Sequence, residues 1–426
     1  ATMWSKPLPF PFFGGGNGGG RSRFWPRGGG AAAAQLACCC AAAAALLPGS
    51  LLVLQEDGRR ASSKRCFLLA ETNPDPKVFS PPPPSFSAAN PASGRLGMDH
   101  GSMRIFTGNA HRELAHMVAE KIGITVSKST VNRFGNGEVN VEIHESLRDC
   151  DVFVIQPTCN GRAGPQENLM ELLVMLDTIR RSSAHRVTAV MPLFGYARQN
   201  AQDRSRSPIT AKLVVDMLQV AGANRVVTVE LHAPQVQGMA SYPIDNLYAV
   251  PLLVRELETV FEQRSLDPEE VVVVSPDVGG AKRAATFGRK LKAPLAIFSR
   301  QRRRASEASE VDLVGEVDGK TCVIVDDIAD SCQTLLVAAE KLKARGAKTV
   351  IATVIHGVLS GDACENVMRS QIDTLIVTDT IPMEDKLERC PKLRVVSIAP
   401  LIASAIKRLH VSQPLSTLWE QLPSET

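Results

Sequence analysis

The chain has 426 residues, 44% of them hydrophobic and 22% charged, with a net charge of +4. That length accommodates two domains of ordinary size and a long extension, and so small a positive charge leaves no electrostatic footprint for nucleic acid. Its ten cysteines include no closely spaced pair after Cys66, which excludes a disulfide framework or a cysteine-built zinc site there and suits reduced thiols.

Residues 1–97 read as a low-complexity leader. No Asp or Glu precedes Glu56, the basic residues of that stretch are Lys6, Arg21, Arg23 and Arg27, and its glycine runs, with the prolines of 81–84, cannot build a core. An acid-free, basic front has the composition of an organelle transit segment, which points to a plastid or a mitochondrion. The alternative is a disordered extension, or upstream sequence ahead of a start at Met98 or Met103, on a cytoplasmic protein. Residues 31–47 approach the minimum length of a membrane span, but alanine inserts poorly and Pro48 interrupts the run, so an anchor is disfavoured.

From Met103 onward strand-like and helix-like stretches alternate. Residues 151–156 predict a strand, and 167–183 a helix with Leu169, Leu172, Leu173 and Leu176 as its apolar residues. A strand over 186–191, a helix over 208–221 with Pro208 in its first turn, and a strand over 225–231 follow. The pattern restarts with a strand over 271–274, a helix over 279–291, a strand over 322–325, a helix over 335–345 and a strand over 349–354. Such alternation predicts an α/β fold of parallel sheets flanked by helices. Two similar halves meet near Tyr248 to Pro251, dividing the chain into 98–250 and 251–426.

The strongest chemical signal is Asp326-Asp327, which ends the apolar run Cys322 to Val325 and precedes Ile328-Ala329-Asp330-Ser331-Cys332-Gln333-Thr334. Two carboxylates at the exposed carboxyl end of a buried strand lie where open α/β sheets bind ligands. The loop after them, with its free N–H groups and the following helix start, suits a phosphate. Together these parts fit a phosphorylated sugar, with carboxylates on ring hydroxyls and amides on phosphate. An acidic strand end before an ordinary helix cap is the plain structural alternative. Gly279-Gly280-Ala281-Lys282-Arg283 also follows a strand and opens a helix, which allows backbone approach to pyrophosphate; close helix packing explains the glycines equally well. Arg300, Arg302, Arg303 and Arg304 read by themselves as a solvated face.

The acid pair and its loop resemble the phosphoribosyl-pyrophosphate (PRPP) motif of the type I phosphoribosyltransferase fold. With Arg133-Phe134-Gly135-Asn136-Gly137-Glu138, Phe194-Gly195-Tyr196-Ala197-Arg198-Gln199, Leu231-His232-Ala233, Val274 to Arg283 and Thr380-Ile381-Pro382, residues 103–422 resemble the ribose-phosphate pyrophosphokinase (PRPP synthetase) family. The resemblance implies two tandem type I phosphoribosyltransferase-like domains, each a mostly parallel sheet flanked by helices, with the last segment packing back on the first domain. It implies a homo-oligomer, a hexamer built from dimers, and admits hetero-oligomers with other family members. The implied reaction moves the β,γ-pyrophosphoryl group of ATP to the C1 hydroxyl of ribose 5-phosphate, making PRPP and AMP for nucleotide biosynthesis with Mg²⁺.

Carried over residue by residue, the resemblance assigns Phe134, Asn136, Glu138, Arg198, Gln199, Asp203 and His232 to ATP. Asp326, Asp327, Asp330, Ser331, Cys332, Gln333 and Thr334 go to ribose 5-phosphate. Asp277, Gly279, Gly280, Ala281, Lys282 and Arg283 form the pyrophosphate loop, and His232 and Asp277, with Glu230 two residues before the histidine, take the metal positions. Arg300 and Arg302 match a mobile catalytic loop that closes over ATP. Ser146, Arg148, Gln237, Asp245 and Asn246 match a regulatory region at which inorganic phosphate activates.

Four departures weigh on the match. Arg300 replaces the catalytic lysine, Gln333 replaces a glycine of the sugar-phosphate loop, Glu230 replaces an aspartate, and Pro234 replaces a serine of the regulated members. If that glycine serves a positive φ or close approach of a phosphate, Gln333 impairs the loop. The substitutions leave open a non-catalytic, PRPP synthetase-associated regulatory subunit. A phosphoribosyltransferase would explain the Asp326 motif but not the nucleotide motifs.

Overall fold

The computed structural model describes residues 101–300 and 311–419, all within one compact unit, Gly94–Thr426. The leader, with Met98, and Arg302 lie outside the described residues, and Arg300 enters only as the last residue of its strand. The first sheet has five strands in the order β1 (Met103–Thr107), β4 (Asp151–Ile155), β5 (Arg186–Met191), β6 (Arg225–Val229) and β7 (Ile244–Leu247), all parallel. A separate antiparallel hairpin, β2 (Ser129–Arg133) and β3 (Val139–Ile143), stands beside it. The second sheet has seven strands: β10 (Val311–Val314), β9 (Leu295–Arg300), β8 (Val271–Ser275), β11 (Thr321–Ala329), β12 (Thr349–Gly357), β13 (Thr374–Thr378) and β14 (Leu393–Val396). Only the β9–β10 pair is antiparallel. Strands such as β4 and β8 are buried along their whole length because helices cover both faces, which is why their sequences are continuous apolar runs rather than alternations.

The helices sort by face. α1 (Arg112–Ile122), α4 (Val250–Gln263), α5 (Ala281–Leu291) and α9 (Ala399–His410) bury Leu114, Val118, Leu253, Leu257, Phe287, Ile402 and Ile406 in one core that both halves share. α2 (Pro165–Arg181) and α3 (Thr210–Ala221) cover the other face of the first sheet through Leu169, Leu172, Leu176, Val214 and Leu218. α6 (Gln333–Ala344) and α7 (Ala363–Arg369) cover the other face of the second, and α8 (Glu384–Arg389) leads into β14. The C-terminal helix α9 packs on α1, where Lys407 Nζ donates to Lys121 O at 2.9 Å and His410 Nδ1 lies 2.9 Å from the buried Asp151 carboxylate. No described helix is long and apolar enough to cross a membrane.

Three local expectations change. Helix α3 begins at Thr210, leaving Pro208 outside it, because Ala211 N and the Thr210 hydroxyl are tied to Gln199 of the preceding loop. The Asp326 strand does not stop at its acids: β11 runs nine residues to Ala329, since its partner β12 continues to Gly357 and the register holds to that end. The positive φ of the loop after β11 falls on Cys332 (φ 63°), the cap of α6, so Gln333 sits on ordinary helical backbone and needs no glycine for its φ. Likewise Pro234 opens a short 3-10 turn (Pro234–Met239), where its missing N–H has no intrahelical partner to lose.

Candidate active site

β11 outruns its neighbour. It pairs with β8 only from Thr321 to Ile324, so Asp326 and Asp327 project beyond the end of β8 while remaining paired on the β12 side. The helices that follow these two strands leave to opposite faces, α5 into the shared core and α6 into the other. A gap therefore opens between β8 and β11, the position where open α/β sheets hold ligands.

The acid pair is not an exposed strand end, which corrects the sequence expectation: Asp327 is buried, 6% accessible, and Asp326 partly buried, its side chain 18% accessible. Residues from the first sheet close over it. His232, in the loop after β6, donates from Nδ1 to Asp327 Oδ2 at 2.5 Å, and Arg198, in the loop after β5, donates to Asp330 Oδ2 at 2.9 Å. From α5, Arg283 Nη1 lies 3.6 Å from Asp327 Oδ1 and 4.0 Å from Asp326 Oδ1. The Asp327 N–H donates to Asp326 Oδ1 at 2.9 Å, which fixes the pair relative to each other.

This arrangement splits the two acids. Burial, reinforced by the neighbouring Asp327 charge, pushes the Asp326 carboxyl up to about 7. Burial works the same way on Asp327, but the His232 hydrogen bond and the Arg283 guanidinium outweigh it and hold that carboxyl well below the usual range. The hydrogen bond to Asp327 in turn raises His232. Asp330 is lowered, first by a hydrogen bond from the Ser360 side chain and then, against burial, by Arg198.

Glu230 ends β6 in the left-handed region (φ 44°), a strained conformation for a non-glycine residue. Its carboxylate is buried, with Oε1 lacking a hydrogen-bond partner, and burial pushes it up to about 7. The second sheet holds this turn in place: His356 Nε2 donates to Glu230 O at 3.1 Å while its Nδ1 accepts from the Thr380 hydroxyl at 2.9 Å. Burial lowers His356 to about 4, so it makes both bonds as a neutral ring. Sequence reading assigned no role to His356, and its only signal was a lone histidine in an apolar strand.

The remaining candidates scatter. Asp277 braces the turn that leads into α5, its Oδ1 accepting from Gly280 N at 2.8 Å, and added bulk at Gly280 would meet Ser275 Oγ at 3.0 Å, which favours glycine there. Lys282 is exposed, Ala281 begins the helix, and Ser331 and Thr334 present exposed hydroxyls at the start of α6. Gln199 binds Thr210, and Asp203 is exposed. Phe134, Asn136 and Glu138 form the tip of the β2–β3 hairpin, where Glu138 N donates to Asn136 Oδ1 at 3.1 Å and Phe134 stays 55% exposed. Ser146 and Arg148 precede β4, whereas Asp245 pairs with Arg225 and Asn246 accepts from Leu231 N at 2.9 Å on β7. Gln237 folds back onto Pro234 O at 3.1 Å. With β5 and β6 between them, β4 and β7 are roughly 14 Å apart at ordinary strand spacing.

Among the described residues no three His, Cys, Asp or Glu side chains gather as a metal cage, so His232, Asp277 and Glu230 do not form one. Mg²⁺ ordinarily binds through one or two carboxylates, substrate phosphates and water. The exposed Asp277 carboxylate fits that mode; the buried Glu230 does not.

The raised acids have a stability consequence. A carboxyl whose folded-state pKa lies above its unfolded value binds protons in the folded state that the unfolded chain has released. The contribution of Asp326 and Glu230 to stability therefore falls as pH rises from about 4 to about 7. Glu230→Gln should raise Tm by roughly 2–4 °C at pH 8 and by less at pH 5. Equal effects at both pH values in thermal melts would refute this.

An acid pair and loop at one switch point, faced by basic and imidazole groups from a second parallel sheet, define an α/β protein of two parallel sheets flanked by helices. The N-terminal domain model of ribose phosphate pyrophosphokinase matches residues 103–222, and a phosphoribosyl synthetase-associated domain model matches residues 304–420. The chain is 48% identical over 317 residues to ribose-phosphate pyrophosphokinase A of Dictyostelium discoideum, covering 74% of this chain and 98% of that protein. It is 44% identical over 326 residues to ribose-phosphate pyrophosphokinase 3 of Saccharomyces cerevisiae, covering 76% of this chain and 100% of that protein. The crystal structure of phosphoribosylpyrophosphate synthetase from Mycobacterium smegmatis superposes with a TM-score of 0.66 at 40% identity, over 72% of this chain and 99% of that one. The chain belongs to the ribose-phosphate pyrophosphokinase family.

Proposed function

We infer that this chain is an ATP:ribose-5-phosphate pyrophosphotransferase that makes PRPP and AMP. The observation that carries the reading is the cleft where Asp326, Asp327 and the α6 loop of the second sheet meet His232 and Arg198 of the first. A phosphate cradle and sugar-facing acids thereby lie beside groups suited to a nucleotide. The C1 hydroxyl oxygen attacks the β-phosphorus, the bond from that phosphorus to the α,β-bridging oxygen breaks, AMP leaves, and the hydroxyl proton passes to solvent. Such a transfer depends on positioning and charge stabilisation more than on covalent catalysis.

Ionised Asp327 accepts sugar hydroxyls, the N–H groups at Ser331 to Thr334 hold the 5-phosphate, and Arg198 and Gln199 approach the nucleotide. Asp277, with His232 through water, would hold Mg²⁺, which would supply charge neutralisation on the phosphoryl oxygens. Arg300 and Arg302 are assigned the catalytic cations. The exposed hairpin tip with Phe134 serves a neighbouring copy, in a homo-oligomer whose regulatory site draws Ser146 and Arg148 from a different chain than Gln237, Asp245 and Asn246. The two domains are 98–250 and 251–426.

The test is formation of AMP and PRPP from ATP and ribose 5-phosphate by the full chain with Mg²⁺ and inorganic phosphate. Turnover is expected, and Arg300→Lys should keep or raise kcat. No turnover, combined with stimulation of an active family member, would make the chain a regulatory subunit. We also propose that residues 1–97 direct the protein to a plastid or mitochondrion. Fused to a fluorescent protein they should give an organellar signal, and a diffuse cytosolic one would sink this.

A further inference from the structure

The first sheet has a crevice of its own. The loop after β1 leads into α1, which packs into the shared core, and the loop after β4 leads into α2, which packs on the opposite face. The adjacent strands β1 and β4 therefore form a switch point of the same kind as β8 and β11. A cavity of about 500 Å³ lies there, lined by Asn109, Arg112, Arg133, Arg162, Glu167 and Glu171, a volume within the usual range for small-molecule sites.

Its floor is built and its rim is cationic. Glu171 is 2% accessible, and its two carboxylate oxygens accept from Asn109 N at 2.6 Å, Gln156 Nε2 at 2.8 Å and Asn109 Nδ2 at 2.8 Å. That leaves Asn109 Oδ1 to orient Arg112, whose Nη2 donates to it at 2.5 Å. Arg133 is shared with Glu167 at 3.3 Å. Arg162 has no hydrogen bond or ion pair among the described residues. Three guanidinium groups against one saturated and one exposed carboxylate leave donors for a dianion, and arginine forks match phosphate geometry. The exposed Glu167 carboxylate adds an acceptor for a hydroxyl.

We propose that this crevice is a second binding site, taking a small sugar phosphate with its phosphate on Arg112, Arg133 and Arg162 and a hydroxyl on Glu167. It is separate from the Asp326 cleft and independent of the reaction catalysed there.

Radiolabelled ribose 5-phosphate is the probe, measured by equilibrium dialysis with the full chain. Wild type should bind two equivalents per chain, and Arg112→Gln, Arg162→Gln should weaken one of them about tenfold or more without lowering Tm, since both side chains are exposed. The acid-pair variant Asp326→Asn, Asp327→Asn should keep that same equivalent. A single equivalent that survives in the acid-pair variant and is lost with the arginine pair supports the crevice and counts against the Asp326 cleft. Binding indifferent to the arginine pair overturns the proposal. Inorganic phosphate should bind the crevice about tenfold more weakly, and equal affinity would overturn the sugar assignment. In wild type, ribose 5-phosphate should protect Arg162 from phenylglyoxal, mapped by mass spectrometry; undiminished modification overturns the site without any variant.

Discussion

Asp327→Asn should lower kcat/KM for ribose 5-phosphate by about a hundredfold or more, the scale of losing a charge-assisted hydrogen bond in a buried site. Asp327 is the acid the fold keeps ionised, through His232 at 2.5 Å and Arg283 at 3.6 Å, whereas Asp326 is pushed up to about 7. Asparagine keeps the shape and removes the charge. His232 then loses the partner that raises it and should titrate at lower pH. A raised histidine contributes stability that is complete below its unfolded pKa of about 6.5 and is lost as pH rises through the folded value. The variant should lack that component, visible by NMR titration of the ring. Steady-state kinetics showing equal losses toward ATP and sugar, together with a collapsed melting transition, would assign Asp327 a structural role instead.

Arg283→Met should cost about 3–5 kcal/mol at pH 8, because it leaves Asp326, Asp327 and Glu230 buried without the guanidinium that offsets them. For a folded unit of this size that corresponds to a Tm lower by about 5–7 °C. The loss should shrink toward pH 5, where Asp326 and Glu230 take up protons and only Asp327, still paired with His232, stays charged. The sign follows from the raised carboxyls: removing the cation raises them further and widens the window in which ionisation opposes folding. Melts at pH 5 and pH 8 decide the matter. An equal drop at both would mean that lost packing of the arginine stem, rather than charge, accounts for the change.

Much of the architecture was legible because its cause is local. Runs such as Val271 to Val274 and Cys322 to Val325 are apolar at every position, since helices bury both faces of the sheets, and the periodic leucines of α2 mark a helix by spacing alone. The alternation of strand and helix, and the placement of Asp326, Asp327 and the phosphate loop beside one another, follow from the order of residues along the chain. Expectations failed where a distant segment intervened. The strand ran past its acids because β12 was there to pair with it, and Pro208 fell outside α3 because Gln199 had taken that helix's first polar groups.

What the sequence determined by itself was therefore the α/β class and the family resemblance. Only the tertiary structure decided which acid carries the charge, since that depends on His232 and Arg283 arriving from other elements to meet one carboxylate more closely than the other. It also decided that Glu230 is buried on a strained turn held by His356, and that Arg112 of α1, Arg133 at the end of β2 and Arg162 after β4 converge on a crevice. Electrostatics and burial depend on distances through space, and residues far apart in the chain set those distances only when the two sheets close on each other.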